Sequence, residues 1–556
     1  MVGKISRRQV LVGASLLLPV AGGMSAKASS EVKFSHGVAS GDPDSTSVVI
    51  WTRVSQFDKP VAVKWLVSMD RTFKTVVGEG TYQTSIDRDY TVKVIVGNLK
   101  AGQTYYYKFI AEGTSSCIGR TKTLPVGHVD QLVLAVASCS NFSFGYFNAY
   151  EAIARDESVD VVVHLGDYIY ENGVDGYGGK MGKQLGRNHE PRHETVSLKD
   201  YRIRHGQYKA DECSQMMHAQ HPLIVMWDDH ESTNNPWMQG AQSHQAAEGE
   251  WLERREASLK AYFEWMPIRD PAEGVALEEY WRHYKFGDLI SLITLESRHT
   301  GRSEQIRYQD HLEKIPTEKN AETFLQTVLG EEKREMLSEL MKGFLASELV
   351  ESVSAGRTWR IIGNQTIMAK SVVPDISAPI FEGVFSNLLS KLTGYSLRML
   401  DGLLRLGKLG LPSNLDAWNG YPVAREGFYK IAKEAGVRDL LVLSGDSHSY
   451  WANALFDNED QAMGLELGTT GISSPGSLLS FGKETHKQFD DANIARNKEI
   501  MWADGRHVGY IRLVVSHEVA HADFVTVSNV KSRKYEVNIV HKLDIKNVNG
   551  ILEYLS

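Results

Sequence analysis

The sequence predicts an all-β sandwich followed by a larger α/β domain, and three observations carry that reading. Between residues 31 and 125, runs such as SVVIWTRV, VAVKWLVS, YTVKVIVGNL and TYYYKFIAEG alternate apolar with polar residues and are separated by turn residues, the pattern of a small β-sandwich. After TLPVGHVD the pattern changes to short, fully apolar runs spaced by amphipathic stretches such as YFNAYEAIARD, as expected of buried strands covered by helices. The chain has 556 residues, 42% of them hydrophobic and 23% charged, which is the composition of a folded protein long enough for more than one domain.

Residues 1–28 differ from the rest of the chain. Arg7 and Arg8 precede an uncharged apolar run, and Ala26-Lys27-Ala28 supplies a small-residue cleavage site, the layout of an export signal. The run is interrupted by Pro19, Gly22 and Gly23 and falls short of the roughly 20 residues needed to span a bilayer. No later segment does better, so no stable membrane span is expected. Ser6-Arg7-Arg8 resembles a twin-arginine signal, which implies the twin-arginine export machinery as a partner and a periplasmic or secreted destination; an ordinary secretory signal with a chance arginine pair is the alternative.

The net charge is −8, from 61 basic and 69 acidic side chains without a long basic block, so no nucleic-acid-binding module is expected. The three cysteines, Cys117, Cys139 and Cys213, leave at least one thiol unpaired. A Cys117–Cys213 disulfide is compatible with this count.

In the 31–125 region, Leu99-Lys100-Ala101-Gly102-Gln103-Thr104-Tyr105 resembles the tyrosine corner of fibronectin type III and immunoglobulin-like domains, so Tyr105 is assigned a structural role. The α/β domain, placed at 130–556, reads as the strands QLVLAVASCS, VDVVVHLGD, LIVMWDDHE, DLISLITLESR, TWRIIGNQ and DLLVLSGDSHS. Residues 372–422 form an amphipathic insertion, read as a helical hairpin over the core in preference to a membrane-surface helix.

Several of these strands run into polar clusters: Ser138-Cys139-Ser140-Asn141, Gly166-Asp167-Tyr168-Ile169-Tyr170-Glu171, Trp227-Asp228-Asp229-His230-Glu231 and Ser444-Gly445-Asp446-Ser447-His448. In open α/β sheets ligands bind beyond the carboxyl ends of strands, so clusters far apart in sequence can converge there. Together they offer thiolate, carboxylate, phenolate and imidazole, the donors of a multimetal site. A single Gly-Asp at a strand end is more often a turn residue, but four such clusters on core strands form a pattern.

These motifs, GDYIYE, WDDHE and SGDSH with SCS upstream, together with the leader SHGVASGDPDSTSVVIWTR, resemble the alkaline phosphatase D family, a branch of the metallophosphoesterases. The resemblance implies a metallophosphoesterase-like α/β sandwich behind an immunoglobulin-like domain, an Fe3+ ion and Ca2+ ions, and hydrolysis of phosphate-ester small molecules. It places Cys139, Asp167, Tyr170 and His448 at iron and makes Asp167 a metal bridge. Asp229 stands at the metal-binding asparagine of ordinary metallophosphoesterases, and Asp446 replaces the first histidine of the last motif. These oxygen donors suit calcium. Asn364 or Gln365 occupies the region of the remaining ligand, with Gln365 taken forward. Asp228, Asn234 and Asn235 complete the calcium sphere, touch phosphate or simply bond within the loop. His230 takes the catalytic position as proton donor to the leaving alkoxide, and Ser140 or Asn141 donates to a phosphoryl oxygen or holds a turn. The expected reaction is monoester hydrolysis for phosphate scavenging; a phosphodiesterase of the phospholipase D kind is the alternative, and a noncatalytic surface-binding protein is the distant third.

Overall fold

The computed structural model describes residues 32–55, 59–377, 394–476, 478 and 482–555. The export signal read at 1–28 lies outside them, as do residues 378–393 of the amphipathic insertion. No helix among the described residues is long and apolar enough to cross a membrane.

Two large mixed sheets face each other. The first runs in the order Ile551–Leu555, Val537–Val548, Ala520–Val527, Val508–Ser516, Gln131–Ala137, Val161–His164, Pro222–Val225, Val38–Gly41, Val48–Arg53 and Thr91–Val96; the second runs His283–Phe286, Ile290–Thr294, Trp359–Gly363, Leu440–Ser444, Ala462–Gly468, Tyr450–Phe456 and Ile500–Asp504. Leu134, Val136, Val163 and Ile224 of the first sheet share one buried core with Leu292, Ile361, Leu441, Leu443 and Leu467 of the second. Each strand at the centre is apolar on both faces because its other face is covered too. Helices Asn148–Arg155, Leu198–Lys209, Glu212–Gln220 and Trp251–Trp265 cover the first sheet, and Glu339–Ser354 and Pro422–Glu434 cover the second.

The six apolar runs read from the sequence all form strands, but they divide between the sheets. Gln131–Ala137, Val161–His164 and Pro222–Val225 are parallel neighbours in the first; Ile290–Thr294, Trp359–Gly363 and Leu440–Ser444 are parallel neighbours in the second.

The all-β N-terminal region is joined to the rest more closely than a separate sandwich would be. Val38–Gly41 pairs in parallel with Pro222–Val225 through Ser40↔Pro222 and Gly41↔Leu223. The first sheet therefore runs from the N-terminal region into the α/β part without a break. Gly41 permits this, since a Cβ there would lie 2.6 Å from the Leu223 carbonyl oxygen. A second N-terminal sheet, of Val76–Thr84, Val61–Ser68, Thr104–Ala111, Thr114–Ser115 and Gly119–Lys122, completes the region. Tyr105 plays the part read for it: its hydroxyl oxygen accepts from the Lys100 backbone N–H at 2.8 Å.

No disulfide forms among the described cysteines. Cys117 is exposed while Cys139 and Cys213 are buried, all three with free thiols, so the Cys117–Cys213 pairing compatible with the sequence is not made. Within the 372–422 insertion, helix Gly394–Lys408 packs through Leu406 onto Ile315, Phe324 and Leu329.

Candidate metal centre

The carboxyl ends of strands from both sheets deliver one cluster. Cys139 follows Ala137, Asp167 follows His164, Asp228 and Asp229 follow Val225, and Asp446 and His448 follow Ser444. Cys139, Asp167, Asp446 and His448 have φ of 58°, 55°, 59° and 54°, a left-handed backbone that costs on the order of 1–3 kcal/mol for a residue with a side chain. Four such residues at strand ends turn their side chains back into a shared space. Gly166 lets the loops meet, because a Cβ there would lie 2.3 Å from Asp228 Cβ. Glu231 ties them together: its buried carboxylate accepts from the backbone N–H groups of Asp167 at 3.1 Å, Tyr168 at 2.5 Å and Asp228 at 2.8 Å.

The first group of donors is compact. Cys139 Sγ is 3.4 Å from Asp167 Oδ2, and the Tyr170 hydroxyl donates to the same oxygen at 3.1 Å. That hydroxyl also sits 3.1 Å from His448 Nε2. Ser474 Oγ donates to the Tyr170 hydroxyl oxygen at 2.9 Å, and His448 Nδ1 is 3.2 Å from the Pro475 carbonyl oxygen, a contact that leaves Nε2 to face the cluster. Burial pushes the Cys139 thiol and the Tyr170 phenol well up and holds His448 down at about 4. A thiol and a phenol become anions in such a place only against a cation.

The second group is made of carboxylates. Ligand oxygens of Asp228, Asp229 and Asp446 lie within 4.8 Å of one another, and Asp167 belongs both to the thiol group and to a set with Asp229 and His230. Asp167 is thus placed where a bridge between the two would stand. Burial raises Asp167, with the Asp229 charge adding to it, and burial pushes Asp446 up to about 7. Asp229 is kept low despite burial by the charges of His230 and Arg298. Asp228 Oδ2 and Asp229 Oδ1 are buried and accept no hydrogen bond, and an unpaired buried carboxylate oxygen is costly. The donors present fit two kinds of cation: thiol, phenol and imidazole with one carboxylate suit iron, and clustered carboxylate oxygens suit calcium.

The sequence reading missed Arg298, which lies four residues past the end of Ile290–Thr294. Its guanidinium is fully buried; Nε donates to Asp228 Oδ1 at 2.5 Å and one terminal nitrogen to Asp416 Oδ2 at 2.7 Å. The other terminal nitrogen stands 3.7 Å from both Asp229 Oδ1 and Asp446 Oδ1. The Glu-Ser-Arg ending of DLISLITLESR was the available signal, a charged pair closing a strand as at the other clusters.

His230 lies at the edge of both groups. Its Nδ1 is 2.6 Å from Glu171 Oε2, its ring stacks on Tyr170 with centroids 4.2 Å apart, and its Nε2 is 3.9 Å from Asp229 Oδ2. Against the effect of burial, Asp229 and Glu171 hold its pKa well above the usual imidazole value. Glu171 is fixed in turn by the Asn234 backbone N–H at 3.0 Å, so Asn234 acts here through its main chain. Asn235 donates its backbone N–H to Asp229 Oδ2 at 2.9 Å.

The remaining candidates divide. Asn141 accepts from the Ser143 N–H at 3.0 Å, capping a short turn, while its Nδ2 is a buried donor without a partner. Ser140 Oγ donates to the Tyr168 carbonyl at 2.8 Å. Gln365 donates to the Leu295 carbonyl at 2.7 Å and accepts from Ser297 Oγ at 2.8 Å. Asn364 donates to Ser444 Oγ and accepts from Trp418 Nε1 at 3.2 Å. Both carboxamides therefore brace the second sheet, with only a second lone pair on each oxygen left over.

Comparisons with known proteins identify the family. The family model described as PhoD-like phosphatase matches residues 134–524, and that of the PhoD-like phosphatase N-terminal domain matches 21–125. Alkaline phosphatase D of Bacillus subtilis (strain 168) is 30% identical over 507 residues, covering 89% of this chain and 78% of the relative. A solved structure of PhoD superposes with a TM-score of 0.74 at 28% identity, over 94% of this chain and 92% of that one. A convergent donor cluster at strand ends, carried on a chain matched over nearly its whole length, places this protein in the alkaline phosphatase D family of PhoD-like phosphatases, and it is an alkaline phosphatase.

Proposed function

We propose that the chain is an exported, metal-dependent phosphomonoesterase that releases phosphate by direct transfer to water. The observation that carries this is the pairing of two chemically different donor groups through Asp167, with His230 held by Glu171 at their edge. Cys139, Asp167, Tyr170 and His448 would hold Fe3+; Asp229 and Asp446, with Asp167 and the free oxygen of Asp228, would hold Ca2+. When bound, such cations draw charge from phosphoryl oxygens and make a water more acidic.

The chain's own groups supply the rest. His230, with its Nδ1 on the Glu171 carboxylate, gives a proton to the departing alkoxide oxygen from Nε2. Asn141 Nδ2, a buried donor without a protein acceptor, binds a nonbridging phosphoryl oxygen. Arg298 fixes the spacing of Asp228, Asp229 and Asp446. The arginine pair of the export signal supports delivery by the twin-arginine route to the periplasm or beyond, where released phosphate would be scavenged.

Elemental analysis of the exported protein, with rates on a monoester and a diester from the same preparation, tests the proposal. Iron and calcium together with faster monoester turnover are expected. Activity independent of any metal would overturn the metal assignment, and faster diester turnover would replace the monoesterase with a phosphodiesterase.

A further inference from the structure

At the opposite ends of the strands from the metal centre, three side chains from distant parts of the chain meet. His128 lies in the segment between Gly119–Lys122 and Gln131–Ala137, Asp288 in the turn between His283–Phe286 and Ile290–Thr294, and His517 in the turn between Val508–Ser516 and Ala520–Val527. His128 Nδ1 is 2.9 Å from Asp288 Oδ2, and His517 Nε2 is 3.3 Å from Asp288 Oδ1. The two imidazoles are stacked, with centroids 5.0 Å apart and planes 8° from parallel. One nitrogen from each ring and one Asp288 oxygen all lie within 4.8 Å of one another.

The outer nitrogens of both rings are also engaged. His128 Nε2 is 3.2 Å from Asp130 Oδ1, and His517 Nδ1 is 2.6 Å from Thr358 Oγ1. Meanwhile His517 Nε2, the atom facing Asp288, is buried and makes no hydrogen bond. Two imidazoles turned onto one carboxylate, with the far nitrogen of His517 held by Thr358 and that of His128 facing the exposed Asp130, offer donors that suit a transition metal. The Val129 backbone N–H donates to Asp288 Oδ1 at 3.1 Å, which orients the carboxylate as well.

We propose that His128, Asp288 and His517 form a second metal site that takes one divalent transition cation of the zinc class. Two nitrogens and one carboxylate supply three of the four ligands that zinc prefers, and water completes the set. Strand Gln131–Ala137 separates this site from Cys139, a length of roughly 20 Å at about 3.3 Å per residue. It therefore stands apart from the phosphatase centre. A bound cation pins the segment leaving the N-terminal region to a turn of each large sheet, and it does so without entering the phosphatase reaction.

The test uses the loaded enzyme in excess calcium, titrated with zinc. Wild type should bind one more zinc per chain than His517→Gln or Asp288→Asn, with at least tenfold weaker affinity in the variants. Its melting temperature should rise with zinc while theirs does not, and turnover should be the same in all three. Imidazole labelling read by mass spectrometry gives a second measurement on the wild-type chain alone: zinc should protect His128 and His517. Equal zinc in wild type and variants would overturn the proposal, as would labelling of both histidines unchanged by zinc.

Discussion

Glu171 holds His230 from behind: Oε2 lies 2.6 Å from Nδ1, and the glutamate has no exposure to solvent. The ring's other nitrogen is thereby the one left for a substrate. A buried carboxylate at that distance favours the imidazolium, and His230 holds Glu171 low in return despite its burial. Glu171→Gln keeps a hydrogen bond and removes the charge. The histidine pKa should then fall, so the alkaline limb of the rate profile should move to lower pH, with metal content unchanged. A profile that keeps its alkaline limb would show that Glu171 does not set the charge of His230.

Arg298 neutralises carboxylates that would otherwise face one another. With Asp228 at 2.5 Å and Asp416 at 2.7 Å, and no exposure, its removal leaves buried charges unpaired. Arg298→Met should destabilise the metal-depleted protein by about 3–5 kcal/mol, the usual result of removing one member of a buried pair. Added calcium should restore part of the loss, since a cation can take over the role. Denaturant unfolding with and without calcium reads both effects.

Much of this was legible in the sequence because strand ends carry chemistry in a fixed order. GDYIYE, WDDHE and SGDSH named Asp167, Tyr170, Asp229, His230, Asp446 and His448, and the structure brings all six together. Arg298 and Glu171 were not singled out because their importance lies in partners far away in sequence. A lone arginine after a strand reads as a surface residue until its three-dimensional neighbours are known. The division of six apolar runs between two sheets was likewise hidden, since periodicity reports burial and not pairing partners. The sheet's continuity with Val38–Gly41 depends on Gly41 approaching Leu223, a contact no local pattern announces. The C-terminal strands Val508–Ser516 and Ala520–Val527 did carry a signal, the alternation in VGYIRLVVS and AHADFVTV.

The crowding of acids makes the site's hold on a cation depend on pH. Burial raises Asp446 and Glu231 to about 7, and Asp167 and Asp228 also rise. Such groups bind more protons folded than unfolded, so their own contribution to folding stability falls as pH climbs from the ordinary carboxylate range toward 7. Histidines held low by burial, His36 and His164 at about 3 and His221 and His448 at about 4 among them, work the other way over the same interval, so the site is read through its ligand and not through overall stability. Calcium competes with those protons, so the stabilisation that it gives metal-depleted protein should be larger at pH 7.5 than at pH 5. An equal calcium effect at both values would show that these carboxylates keep ordinary affinities for protons.

Tyr170 and Tyr168 are two residues apart and lead separate lives. Tyr170 meets Asp167 and His448, whereas the Tyr168 hydroxyl sits 2.8 Å from His218 Nε2 and 3.0 Å from Ser214 Oγ. Tyr170→Phe should lose most bound iron and any phenolate-to-iron colour in the visible spectrum, while Tyr168→Phe should keep both. Retained iron and colour in the Tyr170 variant would remove it from the ligand set.

His230 offers the clearest separation of chemistry from metal binding. If it protonates the leaving alkoxide, His230→Ala should slow an alkyl phosphate by roughly two to four orders of magnitude, the usual contribution of a placed general acid. A nitrophenyl phosphate releases an oxygen that needs far less protonation, so its rate should fall much less. The ring's other contacts sharpen the comparison. His230 stacks on Tyr170 at 4.2 Å and stands 3.9 Å from Asp229 Oδ2, so a purely structural role would disturb ligands of both groups. In that case metal content and both rates would fall together. Rates on the two substrates, with iron and calcium measured on the same preparation, decide between the roles: equal losses with metal depleted would falsify the general-acid assignment, whereas a large difference between substrates with metal retained places the proton on His230 Nε2.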